Sequence, residues 1–110
     1  LTPEGQLVVR GRARELIITG GENVWPEQVE AVLSDHPEVA DVAVSGLEDA
    51  EWGQIVTAFV VPTADVVTLE QLRSHVRDSL PAYMAPRRLV LTEAIPRTSL
   101  GKIARHLLRP

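Results

Sequence analysis

A chain of 110 residues, 45% hydrophobic and 24% charged, has the size and balance of one globular domain with a modest core. Its net charge of −4 argues against nucleic acid as a partner, and the absence of cysteine removes disulfides, thiolate metal sites and cysteine nucleophiles. No apolar run reaches the roughly 18 residues a membrane helix needs, and Leu1-Thr2-Pro3-Glu4-Gly5 has neither the basic nor the apolar region of a signal peptide, so the expectation is a cytoplasmic protein.

Because no methionine opens the chain, it reads as a piece of something longer. Thr2-Pro3-Glu4-Gly5 is a turn signal, and Gln6 to Arg10 after it reads as a short strand. Gly11 to Glu15 breaks the apolar pattern and Leu16-Ile17-Ile18 resumes it, which suggests a small hairpin. Thr19 to Asn23 is expected as a loop, since the paired Gly20 and Gly21 permit positive φ and close backbone approach. Pro26 suits the first turn of a helix, Glu27 and Glu30 favour its dipole, and Val29, Val32 and Leu33 form an apolar stripe. His36-Pro37 stops it.

Val39 to Val44 alternates as a half-buried strand that Ser45-Gly46 should end, leaving Leu47 to Gly53 as a loop or single helical turn. Ile55 to Val61 is the best buried strand, closed by Pro62. Thr68 and Gln71 have capping-box spacing at the start of a second helix, with Leu69, Leu72, Val76 and Leu80 on its core face and Pro81 ending it. Tyr83 to Arg87 is expected to be extended, Arg88 to Leu91 to be the final strand, and about Leu100 to Leu108 to be a short helix. The fold class is α+β: a small sheet flanked by helices, with an N-terminal β-hairpin.

The residues alone offer no self-contained catalytic set. Gly20-Gly21 belongs to neither a P-loop nor a dinucleotide fingerprint. His36, His75 and His106 lack metal-ligand spacing, so no metal site is expected. Lys102 is the only lysine beside ten arginines. A compact ammonium on a flexible stem does chemistry a guanidinium does not. On residue type alone, though, a solvated charge at a helix end is the plainer reading.

Order along the chain says more. Gly11 to Glu30, running through Arg12, Arg14, Gly20, Gly21 and Glu22, resembles the hinge-and-loop signature of adenylate-forming enzymes. Pro96-Arg97-Thr98-Ser99-Leu100-Gly101-Lys102 resembles their closing signature. Trp52-Gly53-Gln54 and Tyr83-Met84-Ala85-Pro86-Arg87 fall between them in the family's order. The whole chain is thereby identified as similar to the mobile C-terminal domain of an acyl-CoA synthetase, with residues 1–14 as hinge and start of the hairpin and 15–110 as the mobile domain.

That resemblance implies an enzyme that activates a carboxylic acid with ATP, as an acyl-adenylate, and passes the acyl group to CoA. Mg2+ would arrive with the ATP held by a large N-terminal domain, this chain's partner. Lys102 matches the adenylation lysine, Arg12 a nucleotide-binding position and Arg14 the hinge, where the family usually has aspartate or lysine. Gly20, Gly21 and Glu22 match the loop lining the pantetheine tunnel. Trp52, Tyr83 and Arg87 are candidate outer CoA contacts, with Trp52 as a core anchor an equal alternative. Ala85 lacks the basic residue the family can carry there. Val44 to Gly53 and Ile17 to Asn23 look like o-succinylbenzoate–CoA ligases of menaquinone synthesis, a pattern shared with fatty acyl-CoA synthetases. Two other readings stand: a noncatalytic interaction module of the same fold, and part of a peptide-synthetase adenylation domain that uses a carrier protein.

Overall fold

The computed structural model describes residues 15–63 and 67–110. The expected strand at Gln6 to Arg10 lies outside them, as do Arg12 and Arg14. The first described strands, β1 (Ile17–Thr19) and β2 (Glu22–Val24), pair antiparallel with Ile17 opposite Val24 and Thr19 opposite Glu22. The expected Thr19–Asn23 loop is therefore only a two-residue turn. Gly20 and Gly21 sit at φ 57° and 84°. Positive φ at both central positions matches the twist of the flanking strands, so the tightest hairpin forms here.

Helix α1 (Pro26–Leu33) starts with Pro26 in its first turn and buries Val29 and Leu33. It ends at Leu33, where the Ser34 N–H still bonds to Glu30 O. Strand β3 (Val39–Asp49) and strand β4 (Gly53–Pro62) form one long antiparallel ladder, from Val39 opposite Pro62 to Asp49 opposite Gly53. This corrects the expected break at Ser45-Gly46 and the loop at Leu47 to Gly53. Gly46 does not end the strand. Its missing Cβ makes room for Gln54, whose Nε2 would lie 2.9 Å from such an atom, so it marks close approach within the sheet. The actual turn is Ala50 to Trp52, closed by the Asp49 carboxylate, which accepts the Glu51 and Trp52 N–H groups, each at 3.0 Å.

Helix α2 (Leu69–Arg77) carries the capping box its sequence announces: Thr68 Oγ1 accepts Gln71 N–H at 3.2 Å, and Gln71 Oε1 accepts Thr68 N–H at 2.8 Å. Leu72 and Val76 are fully buried. Tyr83 to Arg87 is not simply extended. Ala82–Met84 is a 3-10 turn, and it delivers Met84 and Ala85 into the core before the backbone straightens. Strand β5 (Arg88–Leu91) then runs parallel to β4, with Ala58 opposite Leu89. A parallel pair needs a long crossover, and the segment containing α2 supplies it.

The five described strands make one sheet ordered β2-β1-β4-β3, with β5 also paired to β4. Alternation along β3 and β4 sorts the core into two layers. Val42, Val44, Val56, Ala58 and Val60 pack with α1 and α2, while Ala43 and Phe59 pack with Ile95, Ile103 and Leu108. The C-terminal segment thus covers the face that the helices leave open. Phe59, 1% exposed, anchors that layer, and its truncation to alanine costs about 3–5 kcal/mol on general grounds.

Covering a sheet is also why the expected Leu100–Leu108 helix does not form. Only Arg105–Leu107 makes a 3-10 turn. Before it, Arg97 bridges Ile103 across a tight turn in which Thr98 N–H bonds to Lys102 O at 2.7 Å and Gly101 takes φ 85°. That φ stops a helix.

Candidate functional site

Two groups of the expected site residues stand out, and they are far apart. The first surrounds the hairpin turn. Gly20 N–H donates to the Trp52 carbonyl at 3.0 Å, and a Cβ on Gly20 would lie 2.7 Å from Trp52 Cε3. Gly20 is therefore required twice, by its φ and by the indole beside it. Gly21 differs: a Cβ there would meet nothing within 4 Å, so its turn faces open space. Glu22 is exposed next to it.

The Arg87 guanidinium carbon lies 3.9 Å from the centroid of the Trp52 ring, a cation–π stack. The Arg87 backbone is held by its N–H bond to Val56 O at 2.8 Å. Trp52 is half-buried and belongs to neither core layer, so its packing role is local to Gly20 and Arg87. Tyr83 stands 40% exposed on the 3-10 turn, with no hydrogen bond or ring contact to this group.

The second group is the turn bearing Lys102. The ammonium is exposed and makes no hydrogen bond or ion pair among the described residues. Its turn is braced by Arg97, whose Nη2 reaches both Asp41 oxygens at 2.7 and 2.9 Å while Nη1 donates to Gly101 O at 3.3 Å. Asp41 lies near one end of β3. Asp49, at the hairpin turn beside Trp52, is at the other, eight residues along the strand. At about 3.4 Å per residue, Asp41 and Asp49 lie about 27 Å apart along the ladder.

Behind Lys102 lies a buried network that sequence reasoning passed over. Arg105 Nη2 donates to both oxygens of Glu30 at 2.6 and 2.7 Å, and Nη1 to Glu15 Oε1 at 3.1 Å. Its Nε donates to the Val44 carbonyl at 3.0 Å, while Val44 N–H donates to Glu30 Oε2 at 2.7 Å. Glu30 is thus a structural partner rather than a helix-dipole charge. Burial raises its carboxyl above the ordinary carboxylate value, against the pull of the Val44 N–H and of Arg105, and Glu27 adds repulsion. The available signal was its place on α1 between buried Val29 and Leu33, where a carboxylate needs a partner.

Among the described residues no group of three or more His, Asp or Glu side chains could hold a metal ion, and no helix is long and apolar enough to cross a membrane.

A profile described as AMP-binding enzyme C-terminal domain matches residues 28–102. The chain is 41% identical over 106 residues to the long-chain-fatty-acid–CoA ligase FadD13 of Mycobacterium tuberculosis, covering 96% of this chain and 21% of that one. It is 43% identical over 108 residues to the 2-succinylbenzoate–CoA ligase of Bacillus velezensis, covering 98% and 22%. Among solved structures, the o-succinylbenzoate CoA synthetase of Bacillus subtilis in complex with its acyl-adenylate intermediate superimposes with TM-score 0.82 at 36% identity, over 90% of this chain and 20% of that one. The chain therefore spans about a fifth of the length of these relatives, 21% and 22%.

Proposed function

The chain belongs to the family of AMP-binding enzyme C-terminal domains, and from that premise we propose that it is the mobile C-terminal part of an acid–CoA ligase. In the first half-reaction a carboxylate oxygen attacks the α-phosphorus of ATP, the bond to pyrophosphate breaks and an acyl-adenylate forms. In the second the CoA sulfur attacks the acyl carbonyl, a thioester forms and AMP leaves. Lys102 serves the first half. Negative charge gathers where carboxylate meets phosphate, and an unpaired ammonium brought there stabilises it. The Gly20-Gly21-Glu22 turn serves the second, with its open side taking the thin pantetheine arm and Trp52, Arg87 and Tyr83 taking the outer part of CoA by stacking and phosphate pairing.

The observation that carries this reading is the separation of the two groups along the β3–β4 ladder. An adenylate is shorter than this separation, which supports a domain that turns between the half-reactions to offer each group in its turn. Arg14 is assigned to the pivot, where a hinge needs only to absorb a change in φ and ψ, and Arg12 to the nucleotide. ATP, its Mg2+ and the acid then bind mainly on an N-terminal domain. The two relatives named above act on unlike acids yet match at 41% and 43% identity, which supports assigning acid selection to that other domain.

The test uses the full-length protein. Lys102→Ala lowers acyl-adenylate formation by about 10²–10³, the loss typical of a preorganised charge stabiliser, while thioester formation from supplied acyl-adenylate survives. Equal loss in both halves refutes the division of labour. Supplying CoA or a carrier protein in parallel identifies the acceptor, and pairing each with a long-chain fatty acid or 2-succinylbenzoate identifies the acid. The 110 residues alone are expected to turn over neither.

A further inference from the structure

The turn that presents Lys102 is closed by its own bonds, Thr98 N–H to Lys102 O at 2.7 Å and Gly101 N–H to Thr98 O at 2.9 Å, but few side chains tie it to the rest of the domain. Leu100 is 84% exposed, Gly101 is at φ 85°, and the turn places no side chain in either core layer before Ile103. Two arginines flank it. Arg97 reaches Asp41 with both side chains 39% exposed, and such solvated pairs hold geometry weakly. Arg105 is 9% exposed, and its ion pairs to Glu15 and Glu30, themselves 17% and 12% exposed, are joined by a bond to main chain. A buried, multidentate guanidinium has one arrangement that satisfies all its partners. Between Lys102 and Arg105 the chain cannot slide, because Ile103 bridges Arg97 and Ala104 N–H bonds to Pro96 O at 2.9 Å.

We infer that Arg105 is the positioning residue for Lys102. Its guanidinium fixes the segment bearing the lysine to three separate parts of the domain: the backbone of β3 at Val44, helix α1 at Glu30, and Glu15, the residue that follows the assigned hinge position Arg14. A rotation delivered through the hinge is thereby transmitted to the ammonium as a rigid displacement. Without Arg105 the domain still turns, but the turn bearing Lys102 loses its ties to Val44, Glu30 and Glu15. The inference rests on the adenylation role proposed above for Lys102.

Arg105→Ala would leave Glu30 buried without its main partner and risks misfolding, so the informative variant is Arg105→Lys. It keeps one positive charge beside Glu30 but cannot serve Val44, Glu15 and Glu30 together. In the full-length protein, Arg105→Lys is expected to lower acyl-adenylate formation by about tenfold while thioester formation from supplied acyl-adenylate stays within about twofold. The double variant with Lys102→Ala should be no slower in adenylation than Lys102→Ala alone, because the two residues act through one atom. Equal loss in both half-reactions, no loss in either, or losses that multiply in the double variant each overturn the inference. If Lys102→Ala itself leaves adenylation intact, the proposed function fails first and the inference with it.

Discussion

Gly20→Ala is the sharpest probe of how the hairpin turn is built. Two costs add. The residue sits at φ 57°, where a Cβ costs about 1 kcal/mol. That Cβ would also lie 2.7 Å from Trp52 Cε3 and 2.8 Å from Cζ3, closer than carbon atoms approach, so the half-buried indole must shift at about 1–2 kcal/mol. Part of that second cost is the stack with Arg87, about 0.5–1 kcal/mol at an exposed site. The sum is about 2–3 kcal/mol, or roughly 8–12 °C in Tm at about 4 °C per kcal/mol. Gly21→Ala meets the first cost only, since nothing lies within 4 Å of its Cβ, and should lose about 1 kcal/mol. Urea denaturation of the two variants, repeated in a Trp52→Ala background, separates the costs. In that background Gly20→Ala should fall to the Gly21→Ala value. Equal losses at the two glycines with Trp52 present, or a Gly20 loss that ignores removal of the indole, would refute the reasoning.

A bulky residue at Gly21, such as leucine, should fold with a loss of about 1–2 kcal/mol, yet impair thioester formation more than adenylation in the full-length protein; pyrophosphate exchange falling as far as CoA transfer contradicts this. Thr68→Ala removes the Oγ1 that accepts the Gln71 N–H, while the residue-68 backbone N–H keeps its bond to Gln71 Oε1, and should cost about 1 kcal/mol by denaturation, with neither half-reaction changed. Glu30 should give stability a sign opposite to that of an ordinary paired carboxylate. Its folded value is raised, so between the ordinary carboxylate value and the folded one the native state binds more protons, and stability falls as pH rises through that window. Glu30→Gln should remove that slope from a series of urea midpoints, and a slope that persists unchanged contradicts the assignment.

Elements written in local chemistry were legible in the sequence. Thr68 and Gln71 announce α2 because the capping box is complete within four residues, and Arg88 to Leu91 is bounded by Pro86 and by the polar residues after it. The misreadings share a cause: the deciding partner was remote in sequence. Gly46 looks like a terminator until Gln54 is seen filling the space of its side chain. Leu100 to Leu108 has helical composition, but Ile103 and Leu108 must reach the layer of Phe59, and Gly101 must turn first. At the candidate site, Lys102 and the glycine pair were visible through their residue types and order. Arg105 was not, since one arginine among ten looks like solvated charge until Glu15, Glu30 and Val44 converge on it.

Val44 has a second consequence. It lies on β3, the border strand among the described strands, with its N–H taken by Glu30 and its carbonyl by Arg105. Border strands are templates for adding strands from other molecules, and proteins blunt them with charge. Here the blunting is direct, since two side chains occupy the main-chain groups a foreign strand would need. Left open, this stretch of β3 would offer a foreign strand an unpaired N–H and carbonyl beside exposed and half-buried side chains. The Glu30–Arg105 pair closes that part of the margin.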